Sequence, residues 1–173
     1  MDSNLKPSKE VNAILDIAKK LKIDIKQKLK PPKIAWQLKN QKSPGYGILG
    51  TLGNFSLITG KAKSGKSFFI NIAVSTASTT DSIFNRFKSN LPLEQNEVLY
   101  FDTEQSEYHV QKAVKNICLQ IKVDVPTNLH TYHLRSQPPK KRLEIIEALI
   151  YSNNKIGFVV IDGIKDLVTS VND

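Results

Sequence analysis

Apolar and polar residues recur along the chain with two different periods, and these periods predict its helices and strands. Residues 8–22 follow the three- and four-residue spacing of an amphipathic helix, with apolar side chains at Val11, Ile14, Leu15, Ala18 and Leu21. Ser8 is its predicted N-cap. Pro31 and Pro32 stop helical structure. The pattern predicts a small helical N-terminal segment, joined to the main domain by a linker from Pro31 to Pro44.

Short apolar runs alternate with helical patterns from residue 55 onwards. The runs predict buried strands at residues 55–59, 97–102, 129–134 and 157–162. The helical patterns between them cover residues 67–77, 106–119 and 140–152, whereas residues 85–96 are polar and read as a connection. Strands that alternate with helices form βαβ crossovers and a parallel sheet covered on both faces. The predicted fold class is therefore α/β.

A glycine-rich stretch precedes the first of these strands. Residues 45–50, GYGILG, match the letters of the dinucleotide-binding fingerprint, but a fingerprint follows a strand and opens a helix. Here Pro44 comes before the stretch and another predicted strand comes after it. An irregular loop is the favoured interpretation.

Composition indicates one globular domain with a basic N-terminal part. The 173 residues carry a net charge of +9, and residues 1–50 hold 11 lysines and four acidic residues. A nucleic-acid or acidic partner would fit this segment. Solvated lysine-rich helix faces would also fit, because no aromatic residues interleave with the lysines. No apolar run approaches the ~20 residues of a membrane span, the N-terminus lacks the apolar stretch of a secretion signal, and Cys118 is the only cysteine. We expect a cytoplasmic protein without a membrane partner.

The strongest motif is GKAKSGKS, which fits G-x-x-x-x-G-K-[ST]. It comprises Gly60, Lys61, Ala62, Lys63, Ser64, Gly65, Lys66 and Ser67. Gly60 and Gly65 permit backbone angles that a Cβ would forbid, so that successive amide N–H groups can surround phosphate oxygens. Lys66 brings a positive charge to the β- and γ-phosphates, and the Ser67 hydroxyl can ligate Mg²⁺. We predict that residues 60–67 bind ATP with Mg²⁺.

Acidic residues follow two other predicted strands. Asp162 ends a buried strand and can reach the water shell of a metal ion. Glu104 follows residues 97–102, on the rim where open α/β sheets bind ligands, and a glutamate there can deprotonate an attacking water. The alternative for Glu104 is a cap on the helix that follows. We predict Ser67 and Asp162 as metal ligands, and Lys66 and Glu104 as catalytic residues.

Three smaller features leave alternatives open. His130 and His133 point to opposite faces of a predicted strand, which disfavours a zinc site. Residues 140–142, KKR, open a helix where the dipole disfavours cations; a phosphate-bearing partner or a solvated charge run would account for them. Trp36 and Tyr46 are candidate adenine contacts only because they are aromatic.

The motifs together resemble a known family. Residues 60–67, then FDTEQS at residues 101–106, then VVIDGIKDLV at residues 159–168 are similar to RecA-like ATPases, and among them to RepA-type hexameric helicases and the AAA-family ATPases of mobile elements. The resemblance runs from Leu49 to Asp173. It implies that Glu104 is the catalytic glutamate, Asp162 the Walker B aspartate, and Lys66 and Ser67 the phosphate and metal contacts. Members of the family couple ATP hydrolysis between subunits to movement along DNA.

The resemblance also implies a domain division. RecA-like sheets place a later strand between the P-loop strand and the Walker B strand, and that later region brings the sensor, the arginine finger and the DNA loops. The sequence stops at Asp173 before any of these. We therefore expect residues 1–42 to be a basic helical segment with its linker, and residues 43–173 to be a RecA-like core truncated after the Walker B strand, as a fragment of a longer protein.

The leading function is an ATPase that acts as a helicase or DNA-dependent motor in DNA replication or mobilisation. Expected partners are ATP, single-stranded DNA and further copies of the full-length chain in a hexamer or filament. The alternatives are a nucleotide-dependent assembly or DNA-binding module that does not hydrolyse ATP, and a P-loop kinase, which would need an arginine-rich lid although the chain has only Arg86, Arg135 and Arg142. The isolated 173 residues are expected to hydrolyse ATP slowly.

Overall fold

The computed structural model describes residues 8–61 and 63–168, which belong to two compact units, Met1–Pro31 and Pro32–Asp173. The first unit contains helix α1, Lys9–Leu21, whose N-cap Ser8 accepts a hydrogen bond from the Val11 N–H at 3.3 Å. No residue of α1 is buried. No helix in the described ranges is both long enough and apolar enough to cross a membrane.

The second unit contains two three-stranded sheets. The parallel sheet has the order β5-β4-β6 and consists of β4, Glu97–Asp102, β5, Leu129–His133, and β6, Ile156–Asp162. Helices α2, Lys66–Ala77, α3, Glu107–Ile121, and α4, Pro139–Ser152, pack against it. These strands and helices agree with the sequence prediction to within two residues at each end. The structure thus confirms a mixed α/β domain with a parallel sheet.

The parallel sheet has an apolar core on each face. On one face, Ile70 and Val74 of α2 and Ile117 of α3 cover Val98 and Tyr100 of β4. On the opposite face, β4 contributes Leu99 and Phe101, and they are covered by Ile146 of α4, by Leu134 and by Leu167 in a 3₁₀ turn, Ile164–Leu167. Because both faces are covered, β4 reads as a continuous apolar run.

A small antiparallel sheet, which the sequence did not predict, packs beside α2. It has the order β2-β1-β3, with β1 at Ile34–Lys39, β2 at Tyr46–Thr51 and β3 at Phe87–Ser89. β1 falls in the expected linker, β2 covers residues 46–50 of the glycine-rich stretch expected to be an irregular loop, and β3 lies in the expected connection. The loop interpretation of residues 45–50 is therefore wrong, although no helix follows them, as the rejected fingerprint would require.

Trp36 is a core residue of this small sheet. It is 7% exposed, and its ring lies against three phenylalanine rings, with centroids 5.8 Å from Phe69, 6.4 Å from Phe87 and 5.9 Å from Phe158. The suggestion that Trp36 contacts adenine is therefore wrong, because its ring is enclosed by side chains. Its position instead joins β1 to α2, which carries Phe69, and to β6, which carries Phe158.

The strand predicted at residues 55–59 does not form. This segment has no regular secondary structure, and Phe55, Leu57 and Ile58 are 96%, 67% and 39% exposed. A strand needs a neighbour for its N–H and C=O groups, and both described sheets are built from other segments. The apolar character of residues 55–59 is therefore not used for burial within the described part of the chain.

Candidate active site

The described residues of the motif, 60–61 and 63–67, lead into α2, whereas Ala62, also predicted to bind nucleotide, lies outside the described residues. Gly65 is the N-cap of α2 with φ +89°, and Lys63 is also left-handed with φ +62°. A Cβ at Gly60 would meet the Ser64 hydroxyl at 2.5 Å. Gly65 requires glycine for its backbone angle, whereas Gly60 does not adopt a positive φ and its close neighbour is a hydroxyl that can rotate. Gly65 thus shapes a tight turn at a helix N-terminus, where free N–H groups and the helix dipole attract anions.

Lys66 turns its ammonium back onto this loop. Its Nζ donates to the Gly60 carbonyl at 2.9 Å and approaches the Lys61 carbonyl at 3.4 Å. Gly60, Lys61 and Ser64 are exposed, as is Ser67 in the next turn. The ammonium and the hydroxyl therefore lie at a solvent-accessible loop, where an incoming phosphate could replace the carbonyls as the partner of Lys66. This arrangement fits the phosphate groups of a nucleoside triphosphate.

Asp102 and Asp162 end the adjacent parallel strands β4 and β6 as register partners. Asp102 is fully buried and its carboxylate accepts from the Glu104 N–H at 3.0 Å, the Gln105 N–H at 2.8 Å and Gln105 Nε2 at 2.9 Å. Asp102 therefore folds the turn after β4 and has little capacity left for a ligand. That turn carries Glu104 out to the surface.

The Asp162 carboxyl lies in different electrostatic surroundings from that of Asp102. Burial raises the pKa of its carboxyl to about 6, helped by the nearby negative charges of Asp102 and Glu104, whereas the Lys66 ammonium acts in the opposite direction. Lys66 is the first residue of α2, which packs against β6, and its ammonium lies near enough to Asp162 to act on that pKa. A cation beside Asp162 would relieve the crowding of negative charge.

The Asp162 carboxylate and the Ser67 hydroxyl supply the hard oxygen donors that Mg²⁺ prefers. In the described part of the chain, no three His, Cys, Asp or Glu side chains converge as a metal cluster. Mg²⁺ typically uses one or two protein ligands together with waters and substrate phosphates. The residues present fit that mode of binding.

Glu104 does not cap α3. The N-cap of α3 is Ser106, which makes no side-chain capping bond, whereas Glu104 Oε1 forms an ion pair with Lys165 Nζ at 3.2 Å. The capping alternative for Glu104 is therefore wrong. The carboxylate is 42% exposed, so both water and a ligand can reach it.

Thr103 and Gly163 hold the two acidic strand ends together. The Thr103 N–H donates to the Asp162 carbonyl at 3.0 Å, and the Thr103 hydroxyl donates to the Gly163 carbonyl at 2.8 Å. Gly163 has φ +92°, and a Cβ there would collide with Thr103 and with Glu104. The glycine after Asp162 is thus needed for both its backbone angle and the close approach of Glu104.

The sequence prediction missed Lys165, Thr103 and Arg142 as neighbours of the site. Arg142 Nη1 donates to the Asp166 carbonyl at 2.8 Å, so α4 supports the 3₁₀ turn that carries Lys165. No motif marks such contacts, because a backbone carbonyl accepts a hydrogen bond whatever its residue type. His130, by contrast, lies near the amino end of β5, where it pairs with Glu97 at 2.6 Å away from these residues.

Comparison with known proteins gives one match. The sequence model of the AAA domain family matches residues 26–173. No curated protein and no solved structure matched the chain. The matched range includes both sheets, the loop of residues 60–67 and the acidic residues after β4 and at the end of β6, whereas α1 lies outside it.

Proposed function

The chain belongs to the AAA domain family, and on this premise we propose that it is an ATPase that binds ATP with Mg²⁺ through residues 60–67 and hydrolyses the γ-phosphate. One observation carries the proposal. Lys66 begins α2, which packs against β6, and Thr103 joins the turn that carries Glu104 to the Asp162 carbonyl at the end of β6. Binding chemistry and hydrolytic chemistry thus lie within electrostatic reach of each other.

Nucleotide binding rests on the loop and on α2. The amides of residues 60–67 and the N-terminus of α2 provide donors for phosphate oxygens. Lys66 exchanges the Gly60 carbonyl for the β- and γ-phosphates, which a charge-assisted hydrogen bond favours. Ser67 and Asp162 would hold Mg²⁺, which, when bound, neutralises charge on the phosphate oxygens.

Hydrolysis rests on Glu104. Its carboxylate accepts a proton from water as the water oxygen bonds to the γ-phosphorus and the bond from that phosphorus to the β–γ bridging oxygen breaks. Lys66 stabilises the negative charge that passes to the β-phosphate. The turn held by Asp102 and Gly163 keeps the Glu104 backbone in place while its side chain accepts the proton.

The biological setting is proposed from the resemblance to RecA-like ATPases. We place the chain among motors that act on DNA, with single-stranded DNA as the partner and a hexamer or filament of the full-length protein as the working assembly. The concentration of lysines in residues 1–50 supports contact with a polyanion. The division into residues 1–42 and a RecA-like core of residues 43–173 remains part of this proposal.

ATP turnover with and without single-stranded DNA tests the proposal. Lys66→Ala is expected to abolish ATP binding, and Glu104→Gln to preserve binding while lowering kcat by about 100-fold or more, the range of general-base loss. Glu107→Gln is the matched control, since it removes an exposed carboxylate three residues away in the first turn of α3.

Each alternative has its own outcome. Turnover unaffected by Glu104→Gln would remove this residue as the base. ATP binding without turnover under all conditions would instead support a nucleotide-dependent assembly module. Turnover that does not respond to DNA would leave an ATPase but contradict the DNA-dependent motor.

A further inference from the structure

A cavity of about 530 Å³ opens beside Glu104, on the side formed by the β5–α4 loop and the 3₁₀ turn after β6. Its polar lining comes from Thr103, Glu104, Arg135, Arg142, Lys165 and Asp166. Three of these side chains are cationic and two are acidic, so the cavity carries a net positive charge. It is separate in its lining from residues 60–67, since none of them contributes to it.

The three cations of the cavity are engaged very differently. The guanidinium of Arg142 donates to four backbone carbonyls, those of Leu134, Arg135, Gln137 and Asp166, at 2.7 to 3.1 Å. Its Nε–H is shared between two of these carbonyls, and Nη1 and Nη2 each donate to one, so the guanidinium is fixed as part of the cavity wall. Arg135, in contrast, is exposed, and its guanidinium makes no hydrogen bond or ion pair with any other described residue.

Among the described residues, Glu104 is the one ion-pair partner of Lys165. Their 3.2 Å ion pair is formed by side chains that are 75% and 42% exposed, and exposed pairs of this kind are weak and easily exchanged. An anion with a higher charge than a carboxylate, in the same cavity, would compete for the Lys165 ammonium.

The start of α4 adds to the positive character of the same wall. Pro139 lines the cavity and is the first residue of α4, whose N-cap makes no side-chain capping bond and whose first turn contains no acidic residue. Lys140 and Lys141 instead place cations where the helix dipole is already positive. Glu144 already pairs with Lys141, so an anion seated nearby would offset the charge of Lys140 and the helix dipole.

We propose that this cavity binds a phosphate group between Arg135 and Lys165, and that its occupation takes Lys165 away from Glu104. The guanidinium of Arg135 offers the paired donors suited to phosphate oxygens, and Lys165 offers a mobile point charge. The phosphate is either part of a nucleic-acid backbone or free in solution. Binding itself does not depend on the proposed ATPase function, whereas the consequence for Glu104 does.

The consequence is a link between anion binding and hydrolysis. In its ion pair with Glu104, Lys165 neutralises the carboxylate that would accept a proton from water. With Lys165 turned to a phosphate group, Glu104 is free to accept that proton. A phosphate-bearing ligand would therefore accelerate ATP turnover without touching the nucleotide.

Binding is measured without ATP in a Lys66→Ala background, so that the loop of residues 60–67 contributes little. Inorganic phosphate and a short oligothymidylate are titrated separately at low ionic strength. Arg135→Gln and Lys165→Gln are each expected to weaken binding by about tenfold or more, the loss of one charge-assisted hydrogen bond. Lys155→Gln is the matched control, because this lysine precedes β6 at the opposite end of the strand.

The outcomes distinguish a nucleic-acid backbone from free phosphate and decide whether the cavity binds either of them. Oligothymidylate binding that depends on Arg135, without comparable phosphate binding, assigns the site to a nucleic-acid backbone; the reverse assigns it to free phosphate. Binding that Arg135→Gln and Lys165→Gln leave unchanged, or that Lys155→Gln weakens equally, overturns the proposal.

The link to hydrolysis is measured in the protein with Lys66 intact. Lys165→Gln is expected to raise basal ATP turnover about two- to fivefold, as for loss of one exposed ion pair, and to abolish stimulation by the ligand that binds. A decrease in turnover would overturn the link. Absence of any ATP turnover in the parent protein would refute the proposed ATPase function, while the binding titration would still decide whether the cavity takes a phosphate.

Discussion

Asp102 and Asp162 lie side by side at the ends of two hydrogen-bonded parallel strands. Among the described residues, hydrogen-bond donors reach the carboxylate of Asp102 but not that of Asp162. Three hydrogen bonds reach the Asp102 carboxylate, whereas none from the described residues reaches that of Asp162. Asp102 thus has a structural role in the turn after β4, whereas Asp162 keeps the capacity to bind the metal ion proposed above. The inequality has a measurable effect on stability.

The raised pKa of Asp162 predicts that folding stability falls as the pH rises. The folded protein keeps this proton up to a pKa of about 6, whereas the ordinary pKa is 3.8, so the folded state holds more protons between these values and loses stability across them. We expect Asp162→Asn to raise the free energy of unfolding by about 1 kcal/mol at pH 8, reduced from the fully buried value because the side chain is partly exposed.

Urea unfolding at pH 4 and pH 8, without nucleotide and with EDTA, measures this effect. Parent and variant should be equally stable at pH 4, where both lack the charge. At pH 8 with Mg²⁺ and ATP the order should reverse, because only the parent binds the metal through a carboxylate. A variant less stable than the parent at pH 8 in EDTA would contradict the assignment.

Gly163→Ala is expected to impair both stability and turnover. The new methyl group would collide with Thr103 and Glu104 at a backbone angle that disfavours alanine, at a cost of about 1–3 kcal/mol. Displacement of Glu104 should lower kcat more than it raises KM for ATP. Thermal unfolding and steady-state kinetics measure the two effects.

Gly53→Ala is the control for backbone strain alone. Gly53 has a similar φ of +76°, but no atom lies within 4 Å of an added Cβ. We expect a smaller loss of stability and unchanged kcat. Equal kinetic defects in both variants would show that the close contact at Gly163 has no role.

Arg142→Lys is expected to destabilise the domain by about 2–3 kcal/mol, because an ammonium cannot donate to four separate carbonyls as the planar guanidinium does. Chemical denaturation measures the change. Arg86→Lys, at an exposed position, should change stability by less than about 0.5 kcal/mol. If the two variants are equally stable, the hydrogen bonds of Arg142 contribute nothing net.

The fluorescence of Trp36 is expected to change when the protein unfolds and to stay the same when a nucleotide is added. As the only tryptophan in the chain, packed against three phenylalanines, it should emit at short wavelength in the folded protein, with an emission maximum that does not move on addition of ATP and Mg²⁺. Trp36→Ala should cost about 3–5 kcal/mol, measured by circular dichroism, whereas Tyr46→Ala, 43% exposed, should cost far less. An emission shift caused by ATP would place the ring nearer the nucleotide than its packing indicates.

The parallel sheet and its helices were predictable because local pattern and tertiary role agree. β4 is apolar along most of its length since both its faces are covered, and α3 and α4 alternate apolar and polar positions because each packs by one side. The small sheet was not predictable in this way. β1 pairs with β3 about 50 residues further along the chain, and short strands with polar or glycine residues carry little periodic signal.

The candidate site also has a part that the sequence predicts and a part that it does not. The motif at residues 60–67 and the acidic residues at the strand ends can be predicted from the sequence, because the expected chemistry requires those residue types. The ion pair of Glu104 with Lys165 and the contacts of Arg142 are set by how α4 and the 3₁₀ turn meet after folding. Residues 55–59 show the opposite error, since an apolar run predicts a strand only where a neighbouring strand is present to pair with it.

The bonds of Thr103 to the carbonyls of Asp162 and Gly163 make the tips of β4 and β6 a single rigid body. Separation of these two backbones would break partly buried hydrogen bonds, so rotation of the acidic side chains costs less than movement of the strand ends. The described contacts of the loop in front of α2 are more exposed, since the Lys66 ammonium donates to the carbonyls of Gly60 and Lys61. Rearrangement of this loop would therefore cost less free energy than separation of the two strand ends.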